Sequence, residues 1–269
     1  MSEKPLINHG ELEKLVGKYS NSDIVTEFES LSNLQPVREI ELSNLTLFPL
    51  FNENYYQGKN MQILKDSIQT NGITIPLFVY QYENKNYIVN GVKRFLVAKN
   101  QNMKTLPCID VQGSIEDVII YVTNNMLVNK DNGLVQGYAF KVLMDKFQMS
   151  EKEIQRLTAL SHGQVANLLR LLKLTSAVKE YIIEGKLSTA KARLLITFSS
   201  KDQIKIAKKM FNLSVRECEN LVRKIRLGDY LVPEEEYFTY KREGDQIVVR
   251  CSDDSLLTSI ENFLKELEK

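Results

Sequence analysis

Residues 150–174 read SEKEIQRLTALSHGQVANLLRLLKL. Ile154, Leu157 and Leu160 give a first short helix one apolar face. Ser161 ends the turn and can cap a second helix. In that helix Val165, Leu168, Leu169 and Leu172 follow the i, i+3, i+4, i+7 spacing of a buried stripe. The opposite face presents Gly163, Gln164, Asn167 and Arg170, with His162 at the N-terminal end and Lys173 nearer the far end. A DNA-recognition helix needs this division: an apolar side locked to its domain, and amide and basic side chains free for base edges and phosphates. Glutamine and asparagine can pair two hydrogen bonds with adenine, whereas arginine favours guanine or phosphate. Any amphipathic helix pair shares the pattern, so alone it leaves both readings open. His162 by itself reads more readily as a turn or capping histidine than as a base reader.

The surrounding charge favours the DNA reading. The 269 residues carry a net charge of +1, which conceals an asymmetry. Up to about residue 130 acids and bases are nearly balanced. Over residues 151–228 bases outnumber acids by roughly two to one. Lys201, Lys205, Lys208, Lys209, Arg216, Arg223, Lys224 and Arg226 supply much of the excess. At 43% hydrophobic and 26% charged, the composition is that of a soluble globular protein. No run of eighteen apolar residues and no apolar leader is present, so neither a membrane span nor a secretory signal is expected. Cys108, Cys218 and Cys251 are far apart and read as small buried side chains in a reducing cytoplasm. With only His9 and His162 and no cysteine cluster, a structural zinc site is not expected.

Outward from the helix pair the chain divides into parts. Residues 1–35 are polar and weakly patterned, a flexible tail with room for a short helix. Residues 36–122 mix strands and short helices in an α/β domain. VREIEL at 37–42 alternates like a strand, and LTLFPLFNENYYQGKN at 45–60 is irregular, broken by Pro49 and Gly58. MQILKDSIQTNG at 61–72 is a helix stopped by Asn71-Gly72. PLFVYQY at 76–82 and NYIVNG at 86–91 form a hairpin joined by residues 83–85. VKRFLVAKN at 92–100 reads as a helix, and LPCIDV at 106–111 as a strand.

Residues 123–228 form an all-helical domain, with Ser150, Ser161, Ser188 and Ser214 placed as caps. In residues 232–269, YFTYKR and IVVRC flank a turn at 243–245. A helix from about Asp253 follows, with Leu256, Leu257, Ile260, Phe263, Leu264 and Leu267 on one side. A hairpin and one helix are too small to bury their own apolar faces. Pairing with a second copy is expected, with packing onto the rest of the same chain as the alternative. The fold class is α+β and mainly helical.

The stretch LSHGQVANLLRLLKLTSAVKEYIIEGKLSTAKARLLI, residues 160–196, resembles the central DNA-binding domain of ParB-family partition and nucleoid-occlusion proteins. The likeness includes Val165-Ala166-Asn167, the Leu-Arg-Leu-Leu run and the Glu-Gly-Lys-Leu-Ser segment at 184–188. The family usually has Gly-His-Ala-Arg where this chain has Ala190, Lys191, Ala192 and Arg193. The similarity covers about residues 36–269, and the C-terminal hairpin and helix look like the family's dimerisation module. The resemblance implies a homodimer on a palindromic double-stranded site, serving segregation of a plasmid, mobile element or chromosome in a bacterial cytoplasm, on the nucleoid or plasmid. It implies DNA contacts from Ser161, His162, Gly163, Gln164, Asn167, Arg170 and Lys173, with Lys191 and Arg193 supporting the helix or touching the backbone. Family members often engage a Walker-type ATPase through an arginine-containing N-terminal peptide. Residues 1–35 contain no arginine, so that partner is not expected.

The resemblance also implies an N-terminal domain that binds CTP with Mg2+ and closes the dimer into a sliding clamp. Three motifs carry this. Gly72, Ile73, Thr74, Ile75 and Pro76 keep the glycine and proline of a Gly-(x)-(x)-Gln-Pro motif and lose its glutamine. Gly91, Val92, Lys93 and Arg94 keep the glycine and two cations of Gly-Glu-Arg-Arg. Asn124, Asn125, Met126, Leu127 and Val128 keep only the asparagine of Glu-Asn-(x)-(x)-Arg. The nucleotide set expected is Gly72, Thr74, Pro76, Gly91, Lys93, Arg94, Asn124 and Asn125, with Asn125 the remaining candidate metal ligand. Gly91 with two cations at a helix start can cradle phosphate; a basic surface helix terminus would look the same. Asn124 removes the anionic oxygen that magnesium prefers, and Val128 removes a cation. Binding is compatible with these changes; efficient hydrolysis is not expected.

Two further readings remain. Sulfiredoxin-like and serine-kinase-like enzymes share this N-terminal fold type. No cysteine lies near Gly91 in sequence, and Glu83, Asp110 and Glu116 lack a kinase motif context. The other is a transcriptional regulator or adaptor of ParB fold that binds DNA without a nucleotide switch.

Overall fold

The computed structural model describes residues 25–26, 30, 35–57, 59–129, 131–228, 238–243 and 246–251. They fall in two compact units, divided after Glu219.

The first unit opens with a five-stranded mixed sheet in the order β1-β5-β3-β4-β2. Its strands are β1 (Val37–Glu41), β2 (Leu45–Leu47), β3 (Leu77–Tyr82), β4 (Lys85–Asn90) and β5 (Thr105–Val111). β3 is central, and its residues Leu77, Phe78, Val79 and Tyr80 are all buried. That explains why its sequence reads as an unbroken apolar run rather than an alternation. β3 turns into β4 through Glu83 and Asn84, both at positive φ (47° and 60°), the backbone of a two-residue hairpin turn. Lys85 therefore belongs to the strand and not to the turn. β2 lies within the stretch expected to be irregular, and it pairs in parallel with β4 through Leu45, Thr46 and Leu47. Three residues are too few to show an alternation in the sequence.

α1 (Lys59–Asn71) ends at Gly72, whose φ of 68° closes the helix as its Asn-Gly signal suggests. α2 (Val92–Asn100) packs against α1 and β3. α3 (Ile115–Val128) starts at a reciprocal cap, in which Ser114 Oγ accepts from Asp117 N–H and Asp117 Oδ2 accepts from Ser114 N–H. Val118, Ile119, Tyr121 and Val122 of α3 are fully buried, because the helix lies between the sheet and the helices that follow. A helix apolar on every side is a core helix. The domain boundary expected at 122/123 falls inside this one continuous element.

Then come α4 (Gly133–Asp145), α5 (Glu151–Thr158), α6 (His162–Leu171), α7 (Ser176–Ile183), α8 (Thr189–Ala192), α9 (Ser200–Met210) and α10 (Val215–Leu227). Side chains of Asn132, Ser150, Ser161, Thr175, Ser188 and Ser199 each accept a backbone N–H at a helix start. Each such cap contributes about 1 kcal/mol. Within the region read as all-helical, the segment after Ser188 is the four-residue α8 followed by a 3-10 turn at Arg193–Leu195. Val25, inside the segment expected to be a tail, is buried in the hydrophobic core.

In the second unit β6 (Phe238–Glu243) and β7 (Gln246–Cys251) pair as the antiparallel hairpin read from the sequence. The helix expected from about Asp253, and most of the expected tail at 1–35, lie outside the described residues.

Candidate nucleic-acid interface and nucleotide pocket

α6 is set by α4 beneath it. Gly137 of α4 lies so near that a Cβ there would meet the Leu168 carbonyl oxygen at 2.4 Å. Gly133, one turn earlier, sits against the side chains of Leu171, Thr189 and Leu168. Val165 and Leu171 are the buried positions of α6, with Leu168, Leu169 and Leu172 half-buried. The inward face is thus centred on Leu171 as well as on the expected stripe. The lock leaves Ser161, His162, Gly163, Gln164, Arg170 and Lys173 exposed.

Not all of these point the same way. Ser161 is the N-cap, accepting from Gln164 N–H at 3.3 Å, while Gln164 Oε1 accepts from Ser161 N–H at 2.8 Å. With its amide oxygen accepting in the cap, Gln164 keeps its NH2 and the second lone pair of that oxygen for an outside partner. His162 turns back toward α5, with Nδ1 3.5 Å from Glu151 Oε2 and 3.5 Å from Gln155 Nε2. Gly163 faces open space. Gln164, Asn167 and Arg193 come together on one concavity of about 270 Å3, lined also by Gln136, Thr189 and Ala190. Arg170 and Lys173 lie further along the helix, outside it. Lys191 plays a different part, since its Nζ donates to the carbonyls of Met210 and Phe211, both at 3.2 Å, and so closes the C-terminal end of α9. Gln136 and Thr189 carried no signal of their own in the sequence; only the docking of α4 and α8 beside α6 places them here.

A second cavity, of about 420 Å3, opens at the start of α2. It brings together Gly91, Lys93, Arg94 and Asn125 of the expected nucleotide set. Gly91 has φ 95°, and a Cβ there would crowd Leu77 Cγ at 3.0 Å, so the position requires glycine. Arg94 Nη1 donates to the carbonyls of Ile75 and Pro76, bracing the loop before β3. Lys93 Nζ pairs with Asp131 Oδ1 at 3.0 Å and lies 6.0 Å from the centre of the Tyr56 ring. The Tyr56 hydroxyl is 3.5 Å from Asp131 Oδ2, and burial, reinforced by that carboxylate, pushes its pKa far up. Asn90 Nδ2 donates to the Tyr121 hydroxyl at 2.7 Å.

The other members of the expected set stand apart. Gly72, Thr74 and Pro76 do not line the cavity; Gly72 is the cap of α1, and Pro76 contributes only its carbonyl to Arg94. Asn124 is fully buried on the inner side of α3; its Nδ2 donates to the Ile120 carbonyl, and its Oδ1 has no partner. Asn125 lines the cavity, but its Oδ1 accepts from Asn129 Nδ2 at 2.7 Å. Among the described residues no group of three or more His, Cys, Asp or Glu side chains could hold a metal ion. The residues fit a phosphate better than a magnesium ion. Tyr56, Asn129 and Asp131 escaped the sequence reading, because they lie outside the three motifs and only the fold brings them to Gly91.

Comparison with known proteins agrees with this layout. The family model for the ParB N-terminal domain matches residues 27–126, and that for the ParB HTH domain matches residues 130–227. The chain is 25% identical over 259 residues to a probable chromosome-partitioning protein ParB of Helicobacter pylori, covering 86% of this chain and 88% of that one. It is similar to the C-terminally truncated ParB of Caulobacter crescentus solved in complex with the centromeric parS site, at 27% identity, 70% and 99% coverage and a TM-score of 0.39. It is also similar to that truncated ParB solved with CTP-gamma-S, at 24% identity, 65% and 98% coverage and a TM-score of 0.31.

Proposed function

The chain belongs to the ParB family, and from that premise we propose that it is a sequence-specific DNA-binding partition protein that binds a palindromic, centromere-like site as a homodimer. The observation that carries this reading is the capped helix pair α5–α6. It is seated on α4 through Gly137 and holds Gln164, Asn167 and Arg193 around one concavity, with Arg170 and Lys173 exposed beyond it. Gln164 and Asn167 suit base edges, Arg170 suits guanine or phosphate, and Lys173 suits phosphate. Lys191 acts behind them as a support. The C-terminal module, residues 232–269, supplies the two-fold contact that a palindrome requires. The protein works in the bacterial cytoplasm on nucleoid or plasmid DNA; no helix among the described residues is long and apolar enough to cross a membrane.

The test is selection from genomic DNA fragments, followed by sequencing. Wild-type protein enriches one inverted repeat, and Asn167→Ala with Arg170→Ala lowers its affinity by about 1–3 kcal/mol per base-reading contact. An unselective product, or undiminished affinity in the double variant, refutes the assignment. Deleting residues 232–269 yields a monomer that binds the full repeat weakly; a truncated chain that still sediments as a dimer refutes the dimerisation role.

CTP is the nucleotide of this reading, held at the Gly91 turn near Lys93 and Arg94, with clamp closure as its consequence. The magnesium ligands expected of such a site do not fit, and hydrolysis is weak or absent. One observation favours the alternative, a ParB-fold regulator or adaptor without a nucleotide switch: Lys93 is already paired with Asp131. Isothermal titration with CTP, ATP and GTP separates the two readings. CTP-selective binding supports the clamp, and DNA binding indifferent to all three supports the regulator.

A further inference from the structure

The cavity at the start of α2 contains an anion of the chain's own. Asp131 contributes the one carboxylate among the described residues lining it, and its side chain is only 12% exposed. Lys93 Nζ holds Oδ1 at 3.0 Å, and the Tyr56 hydroxyl lies 3.5 Å from Oδ2. The backbone of Asp131 is tied on both sides: its N–H donates to the Met126 carbonyl at 3.0 Å, and its carbonyl accepts from Gln136 Nε2 at 2.9 Å. The neighbouring Asn132 Nδ2 donates to the Tyr55 carbonyl at 3.1 Å, clasping the α3–α4 link to the segment that carries Tyr56. The carboxylate is therefore built into the pocket and does not merely drift across it.

A phosphate entering this cavity and the Asp131 carboxylate would compete for Lys93 and repel each other at short range. The cavity offers a divalent ion only one carboxylate among the described residues, and Oδ1 of that carboxylate is already held by Lys93. Asn125 Oδ1 is taken by Asn129, and Asn124 lies outside the cavity. The Tyr56 hydroxyl lies beside the other oxygen, Oδ2, so an ion there would share a carboxylate that already has two partners.

We propose that Asp131 is a built-in counter-anion occupying the phosphate position at Lys93, so that a nucleotide or other polyphosphate binds only by displacing it, and does so without a divalent metal. This rests on the nucleotide reading of the same pocket but commits to less, since it concerns the phosphate position and not the base.

The experiment is isothermal titration of the full chain with CTP and, separately, with inorganic tripolyphosphate, each in EDTA and in magnesium. Wild-type protein binds weakly and equally in both buffers. Asp131→Asn and Asp131→Ser tighten binding of the anion by about tenfold, and adding Lys93→Ala cancels the gain. Thermal unfolding identifies which Asp131 variant is folded, and that one is scored. If tripolyphosphate gains and CTP does not bind, the Asp131 assignment stands and the CTP reading fails. If wild-type protein binds CTP tightly and only with magnesium, the assignment is overturned and the CTP reading stands. Equal affinities in wild type and folded variant, or no binding of either anion to the folded variant, also overturn the assignment.

Discussion

Gly137 of α4 lies directly against the Leu168 carbonyl of α6, at a distance that leaves 2.4 Å for any added Cβ. Real Cβ atoms do not approach a backbone oxygen so closely, so the recognition helix is seated by the absence of one carbon. Gly137→Ala must push α6 away from α4, and it should destabilise the domain by about 1–3 kcal/mol and weaken DNA binding beyond that loss. Gly163, by contrast, faces open space in the same pair of helices. Gly163→Ala should leave folding unchanged or stabilise it by up to about 1 kcal/mol. Thermal unfolding of the two variants side by side checks the contrast; equal losses would show that the close approach is not what sets α6.

Lys191 separates support from contact. Its ammonium group donates to two carbonyls at the end of α9, bonds of a charged donor worth about 1.5–3 kcal/mol when both partners are shielded and less in its half-buried setting. Lys191→Ala should lower stability, while the dependence of DNA affinity on salt keeps its slope. Lys173→Ala should do the opposite, reducing the slope by roughly one counterion and sparing stability. A reduced slope for Lys191→Ala would make it a phosphate contact after all.

How much of this was legible in the sequence depended on the range of the interactions. The helix pair, the caps and the Gly91 turn are local signals: Ser161 and Gln164 are three residues apart, and one cap joins them. The hairpin of β3 and β4 was legible for the same reason, although positive φ at Glu83 and Asn84 moved Lys85 out of the turn. β2 was not, since its three residues are fixed by pairing with β4, some forty positions away. The cavity at Gly91 was half legible. Gly91, Lys93 and Arg94 form one contiguous motif, but Tyr56 and Asp131 reach it from 75 residues apart. Asn124 misled because a motif position says nothing about orientation: one step along α3 separates a fully buried side chain from one lining the cavity.

Cys108 offers a pH test of the sheet. It is fully buried in β5, and burial pushes its thiol up to about 12. The neutral form is the one the fold favours. Its contribution to stability is therefore complete below the unfolded value of about 8.5 and is lost as pH rises from there toward about 12. At pH 8 the native thiol should resist iodoacetamide and react once denaturant opens the sheet. Mass spectrometry of the peptide containing Cys108 reads this directly; rapid native alkylation would contradict the burial.

Gln164 serves both the helix cap and the surface around it. Its amide oxygen completes the cap with Ser161, and the residue also lines the cavity shared with Asn167 and Arg193. Glutamate at this position preserves the cap, because a carboxylate oxygen accepts the Ser161 N–H at least as well. Its negative charge also suits the positive end of α6 and adds about 0.3–1 kcal/mol. The same charge faces phosphate if DNA lies on this surface. Gln164→Glu should therefore leave the protein equally or more stable, yet weaken DNA binding by tenfold or more. Gln164→Ala should lose about 1 kcal/mol of stability together with a smaller share of affinity. Anisotropy titration on the selected site, set beside thermal unfolding, measures both quantities. If Gln164→Glu binds DNA as wild type does, the residue serves the cap alone and the reading face begins at Asn167; divergence of the two quantities places DNA against the N-terminal turn of α6.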